Sequence, residues 1–343
     1  MIAGDPFGWV GSTIGDKLLV DAVAGEGAFG VVYRATHLGF QEQVAVKCLK
    51  IPADLSSEER ASLLDTFERE ARLLHRLSRR TTGIVQALDV SAATSPAGHW
   101  TPYIVMEWLE GETLAQHIEA RSASGRGPCS VDEALELLAP AVSALAMAHD
   151  ERVSHRDIKP ANLFLVGAPG GTTIKIVDFG IAKVIDASMP PSRALVETRR
   201  AAAPSRAPVG SASATTQELA LSRTLHAFTP LYGAPEQFNP KLGATGPWTD
   251  VFALGLILLQ LASGRQPLAG SDWADLYLAS VDPLSRPSFA GLGVAASPAL
   301  EAVVARALAV EPAARFGDAR ALGEALAAAR RGATLRPPVD PLA

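Results

Sequence analysis

Residues 153–163 read VSHRDIKPANL. Apolar residues at both ends bracket His155, Arg156, Asp157, Lys159 and Asn162, with Pro160 between them. A buried core has no use for so many polar groups packed together, and a solvated loop has no need of such constrained spacing. A carboxylate at Asp157 suits a place beside an acceptor hydroxyl, which it would orient and whose proton it would take. The ammonium of Lys159 would offset charge on a phosphoryl group in transit, and the amide of Asn162 suits a magnesium ion. Chemistry of this kind rests on positioning and electrostatics.

Toward the C-terminus, Asp178 closes the strand-like TIKIV and opens Asp-Phe-Gly, 21 residues after Asp157. Such a tripeptide is either a plain turn or a second metal ligand, since magnesium takes few protein carboxylates and leaves the rest to phosphate oxygens. Ala234–Glu236 reads APE, followed by TDVFALG with Asp250 and, much later, PAARF with Arg315. Glu236 and Arg315 are either a buried ion pair or two unrelated surface charges.

Toward the N-terminus, Gly25–Gly30 reads GEGAFG. Alone it fits a flap over phosphates, a dinucleotide-binding turn or a structural turn. The β-like VVYR that follows favours strand–turn–strand over the strand–turn–helix that a dinucleotide turn needs. VAVK ends at Lys47, which is either a solvated strand end or a contact to nucleotide phosphates. The second role wants a carboxylate to hold the ammonium. Glu70 is the candidate and Glu68 its competitor; Glu70 lies nearer the inward stripe of Phe67, Ala71 and Leu74.

The organisation is α+β. Residues 1–17 read as a loose leader. Strand-like runs dominate 18–108, interrupted by one amphipathic helix that starts at a Ser56–Glu59 capping box. Helical patterns dominate 109–328, with a second start signal at Ser130 and Glu133. That segregation predicts a small strand-rich lobe followed by a larger helical one. Residues 187–227, rich in Ala, Ser, Pro, Thr and Arg, read as a flexible insert, and 329–343 as a disordered tail.

The 343 residues carry a formal net charge of −5, which gives no case for nucleic-acid binding. Cys48 and Cys129 are too few for a disulfide framework, which points to a reducing, cytoplasmic compartment. The opening MIAGDPFGWV lacks a secretory-signal pattern. The most apolar stretch, VFALGLILLQLA at 251–262, is far shorter than the ~20 residues a membrane span needs and reads as a core helix.

Taken together and in this order, the motifs resemble the eukaryotic-type protein kinase family in its bacterial serine/threonine branch. The resemblance covers residues 18–328 and implies a bilobal fold. It implies ATP and Mg2+ (or Mn2+) as cofactors and protein Ser/Thr hydroxyls as acceptors. Gly25, Gly27 and Gly30 would form the phosphate flap, with Val32 and Ala45 at the adenine. Lys47 and Glu70 would pair in the active state. Met106 would stand as gatekeeper, with Glu107 and Leu109 at the hinge. Asp157 would be the base, Lys159 the phosphate contact, and Asn162 and Asp178 the metal ligands. Thr229 would help select the hydroxyl. Asp250, Glu236 and Arg315 would be structural braces.

Some residues depart from the family pattern. RRTTGIVQ replaces the usual loop after the Glu70 helix, Phe228 stands where glycine is usual, and Gly233 follows Tyr232. The segment between Asp178 and Glu236 is long. Thr198, Ser205, Thr215, Thr216, Ser222 and Thr224 are phosphorylation candidates there, with Arg156 placed to bind an added phosphate. Transient pairing of two copies for trans-autophosphorylation is a further expectation. The readings from other classes are a pseudokinase scaffold and a small-molecule phosphotransferase. The intact Lys47, Asp157 and Asp178 weigh against the first, and TPLYGAPEQ against the second.

Overall fold

The computed structural model describes residues 4–27, 30–52, 55–168, 171–179, 229–282 and 286–334. The phosphorylation candidates of the 187–227 segment and Phe228 lie outside them. The chain forms two units. One holds the residues up to Glu110 together with Asp178 and Phe179; the other holds Gly111–Val177 and the residues from Thr229 onward.

The first unit is an antiparallel sheet of six strands in the order β1-β2-β3-β4-β6-β5. These are β1 Thr13–Ile14, β2 Leu18–Gly27, β3 Gly30–His37, β4 Glu42–Leu49, β5 Ala87–Thr94 and β6 Trp100–Glu107. Helix α1, Ser57–Ser78, contacts β5 and β6 and begins at the Ser56–Glu59 capping box. It buries Leu63, Phe67, Ala71, Leu74 and Leu77, the stripe that helical spacing dictates.

Strand alternation gives the sheet two unlike faces. Val31, Tyr33, Ala35, Val44, Val46, Cys48 and Val105 form one core face. Val32 pairs in register with Lys47, and Ala45 with Met106, so these four share the opposite face.

The N-terminal segment corrects the reading of a loose leader. Phe7, Trp9 and Ile14 are buried in the core face. Asp5 is buried too. It accepts hydrogen bonds from the Gly8, Trp9 and Val10 amides and from the Tyr33 hydroxyl at 2.7 Å. Burial would raise the Asp5 carboxyl, but the Tyr33 hydroxyl and the three amides outweigh it and hold the group below its ordinary pKa.

The second unit contains a small antiparallel sheet, β7 Gly111–Thr113, β8 Leu163–Ala168 and β9 Gly171–Ile176. Its helices are α2 Leu114–Ala123, α3 Val131–Asp150, α4 Pro247–Ser263, α5 Trp273–Val281, α6 Pro298–Ala307 and α7 Ala319–Thr334. Helix α4 is buried from Thr249 to Leu259 without a break. That explains why its sequence is apolar all round instead of along one stripe. Helix α7 continues past 328, correcting the reading of a disordered tail from 329. Ala329 is buried, and Arg330 pairs with Asp132 and Glu136 on α3. Among the described residues no helix is long and apolar enough to cross a membrane.

Candidate active site

Residues 153–163 belong to the second unit. The Asp250 carboxylate, fully buried at the start of α4, accepts the His155 amide at 2.8 Å and the Arg156 amide at 2.6 Å. Arg156 has φ 64°, a left-handed backbone costing a non-glycine residue about 1–3 kcal/mol. The Asp250 bond and a second one, from the Gln237 side chain to the Arg156 carbonyl at 2.7 Å, keep it there.

Two histidines that the sequence reading did not single out complete the frame. The Asp157 amide donates to His155 Nδ1, so the Nε2 proton is free to donate to the Val177 carbonyl at 2.9 Å. The Ala319 amide likewise donates to His149 Nδ1, which leaves Nε2–H for Asp250 at 3.0 Å. A histidine at each position is the available signal, but its partners come from elements far away in sequence.

Asp157, Lys159, Asn162 and Thr229 come together on this frame. The Thr229 amide donates to Asp157 Oδ1 at 2.9 Å, and Lys159 Nζ reaches both the Thr229 hydroxyl at 2.6 Å and Asp157 Oδ2 at 2.9 Å. Asn162 spends its NH2 group on the Asp157 carbonyl at 2.8 Å. Its carbonyl oxygen is thereby left as the acceptor. An amide oxygen is a hard donor that suits a divalent cation. Among the described residues no cluster of three or more His, Cys, Asp or Glu could hold a metal by itself.

The first unit carries the remaining candidates. Gly30 has a steric reason to be glycine: a Cβ there would stand 2.4 Å from the Cys48 carbonyl oxygen. A Cβ at Gly25 or Gly27 would meet nothing within 4 Å, so these two leave open space and a bare backbone. Met106 ends up buried on β6. Glu107 exchanges backbone and side-chain hydrogen bonds with Gln86 at 3.0 and 2.8 Å, and Leu109 follows β6 half-buried.

Lys47 pairs here with Asp178 and not with Glu70, the partner expected in the active state. Its buried ammonium bonds Asp178 Oδ1 at 2.6 Å, while the half-buried Glu70 carboxylate is in no ion pair among the described residues. A buried ammonium requires a carboxylate. Asp178, turned inward by its φ of 62°, supplies it. The competitor Glu68 is bound by Arg72, one turn along the exposed side of α1.

Glu236 and Arg315 form a bidentate ion pair at 2.9 and 2.7 Å, both side chains fully buried. Thr249 donates to Glu236, and Arg315 also donates to the carbonyls of Ala309, Val310 and Trp248. Every charge-bearing atom is therefore satisfied, the condition under which a buried pair is tolerated.

The fold has a strand-rich first unit bearing a glycine turn and a lysine, and a helical second unit bearing an Asp-Lys-Asn-Thr cluster. That combination is the layout of a protein kinase domain. Residues 19–324 match the protein kinase domain model, and the chain belongs to that family. It is 33% identical over 326 residues to the serine/threonine-protein kinase Pkn1 of Myxococcus xanthus, covering 94% of this chain and 39% of that protein. It is 30% identical over 310 residues to the serine/threonine-protein kinase PknB of Mycobacterium tuberculosis, covering 90% and 42%. The chain thus spans about two fifths of the length of these curated relatives. The crystal structure of the Mycobacterium tuberculosis PknI kinase domain superposes with a TM-score of 0.58 at 25% identity, covering 93% of this chain and 98% of that one. Membership of the family implies ATP and a divalent metal.

Proposed function

We propose that this chain is a serine/threonine protein kinase that transfers the γ-phosphoryl group of ATP to hydroxyls of protein substrates. The observation that carries the reading is the Asp157–Lys159–Thr229 cluster, in which a carboxylate, an ammonium and a hydroxyl converge within 2.6–2.9 Å.

In this reading Asp157 accepts the proton of the substrate hydroxyl. The hydroxyl oxygen forms the new bond to phosphorus, the bond to the β–γ bridging oxygen breaks, and ADP leaves. Lys159 offsets charge on the moving group, and Thr229 fixes the Asp157 carboxylate through its amide. Gly25 and Gly27 present backbone amides to the phosphates, Lys47 contacts them, and Val32, Ala45 and Met106 line the adenine site beside the Glu107–Leu109 hinge. Asn162 and Asp178 would hold magnesium, with manganese a substitute, and the metal would neutralise phosphate charge. Lys47 exchanges Asp178 for Glu70 on activation.

Phosphorylation in the 187–227 segment, by a second copy of the chain, favours that exchange. The phosphate binds Arg156, whose Nε is buried without a hydrogen-bond partner among the described residues. The setting is cytoplasmic, a reading supported by the free thiols of Cys48 and Cys129.

The test is transfer of radiolabelled phosphate from ATP to the chain itself and to a generic basic protein. Asp157→Asn should lower transfer by roughly 10²–10⁴-fold with an unchanged melting temperature. Label in neither protein, even after incubation with a partner kinase, would leave the pseudokinase reading standing.

A further inference from the structure

We propose that the surface carrying Leu231 and Leu278 sets the preference for protein substrate, by taking one large aliphatic side chain that stands within two residues of the acceptor hydroxyl. The inference rests on the kinase reading above and names the kind of segment that the acceptor site takes.

Among the described residues of the second unit, Leu231 and Leu278 are the large apolar side chains left exposed, at 38% and 60%. A single exposed leucine is ordinary on a protein surface. These two belong to elements that pack against one another, the 230–232 turn and α5. Both elements are braced from behind. The Leu231 carbonyl accepts a hydrogen bond from Gln266 Nε2 at 3.0 Å, and the Tyr232 hydroxyl donates to Gln260 Oε1 at 2.7 Å. On α5, the Trp273 and Tyr277 rings pack with Phe238, and the Tyr277 hydroxyl accepts from Asn239 at 3.1 Å. The exposure of the two leucines is therefore held by fixed backbone.

Their place along the chain ties them to the acceptor. Leu231 follows Thr229 by two residues, and Thr229 bonds Asp157 through its amide and Lys159 through its hydroxyl. Two residues of chain span at most about 7 Å. An extended substrate with its hydroxyl at Asp157 thus carries the side chain one or two positions away to Leu231.

The surroundings select the chemistry of that side chain. Glu236 is buried in its pair with Arg315. Asp275, one turn before Leu278, is drawn toward the start of α5 by the Ser271 amide and hydroxyl at 3.1 and 2.8 Å. Arg265, next to Gln266, is exposed and in no ion pair among the described residues, so the free charge beside the turn is positive. A lysine or arginine laid against the leucines would lose water without gaining a partner. A leucine, isoleucine or methionine gains in proportion to the apolar area it buries.

The test is phosphate transfer from ATP by the full chain to short peptides with one serine in an alanine background. Leucine, lysine or glutamate is placed in turn at each of the two positions on either side of the serine. Leucine at one of these positions should raise kcat/KM about tenfold over alanine, mainly through KM, and lysine there should not. Leu231→Lys and Leu278→Lys change exposed side chains, and circular dichroism checks that each is folded. Each should bring the leucine and alanine peptides level, and if one fails to fold the other decides. A leucine preference that survives in a folded variant, or equal use of leucine, lysine and alanine at every position, overturns the inference. Labelling of the chain itself is followed in parallel. Self-labelling without discrimination among the peptides removes this inference and leaves the kinase reading standing, whereas label in neither chain nor peptide removes both.

Discussion

At Asp250, burial alone would push the carboxyl up in pKa. The hydrogen bonds from His149 and the Arg156 amide outweigh it and hold the group below its ordinary 3.8. A depressed folded value means that the carboxylate's contribution is complete above the unfolded value near 3.8 and is lost as pH falls through the lower folded one. Urea unfolding should show stability dropping below about pH 4. Asp250→Asn should flatten that part of the profile and cost roughly 3 kcal/mol at neutral pH; an unchanged acid limb would refute the assignment. Glu70 offers the opposite case. It holds no ion pair among the described residues, so Glu70→Gln should leave stability within about 0.5 kcal/mol. If the Lys47–Glu70 couple forms in the active state, the same change should slow phosphate transfer by roughly 100-fold. Unimpaired transfer would remove Glu70 from the machinery. The sequence could place Glu70 near the inward stripe of α1 but could not say which carboxylate Lys47 holds. That depends on the rotation of α1 against the sheet and on the backbone turn at Asp178, neither of which has a local signal.

Among the elements, α1 and α3 were legible down to their first residues. Ser56–Glu59 and Ser130–Glu133 both form reciprocal capping boxes, and such boxes are specified within four residues of sequence. The cluster of Asp157, Lys159 and Asn162 was legible for the same reason: the three stand within six residues of sequence. The N-terminal segment was not. Its anchors, Phe7, Trp9 and Ile14, follow neither the helical nor the strand period. The group that folds it, Asp5, takes a partner from β3. The extension of α7 to Thr334 was hidden similarly, because its ion pairs are made with α3. Trp9→Ala should cost about 3–5 kcal/mol in chemical denaturation. A loss below 1 kcal/mol would mean that the segment rests on the sheet without stabilising it.

For the molecule as a whole, the segregation of strands and helices along the chain was enough to foretell two units, with the division at Glu110 instead of 108. Their internal ties had to be seen. Arg315→Met would strand the Glu236 carboxylate in the core of the second unit, at a cost of about 3–5 kcal/mol. Trp9 and Arg315 share no partner and belong to different units. The double variant should therefore lose the sum of the single losses to within about 0.5 kcal/mol, read from the same denaturation curves. A larger departure would show that the two units stabilise one another.

The burial of Cys48 in the same core cluster as Phe7 and Trp9 gives the protein a native chemical reporter. Desolvation raises its thiol pKa, and the nearby Asp5 charge adds to the rise, so the reactive thiolate is scarce while the N-terminal segment stays seated. A maleimide can reach this sulfur only when that core opens. The rate at which Cys48 takes up label under native conditions is thus a clock for that opening, readable by mass spectrometry with no engineered probe.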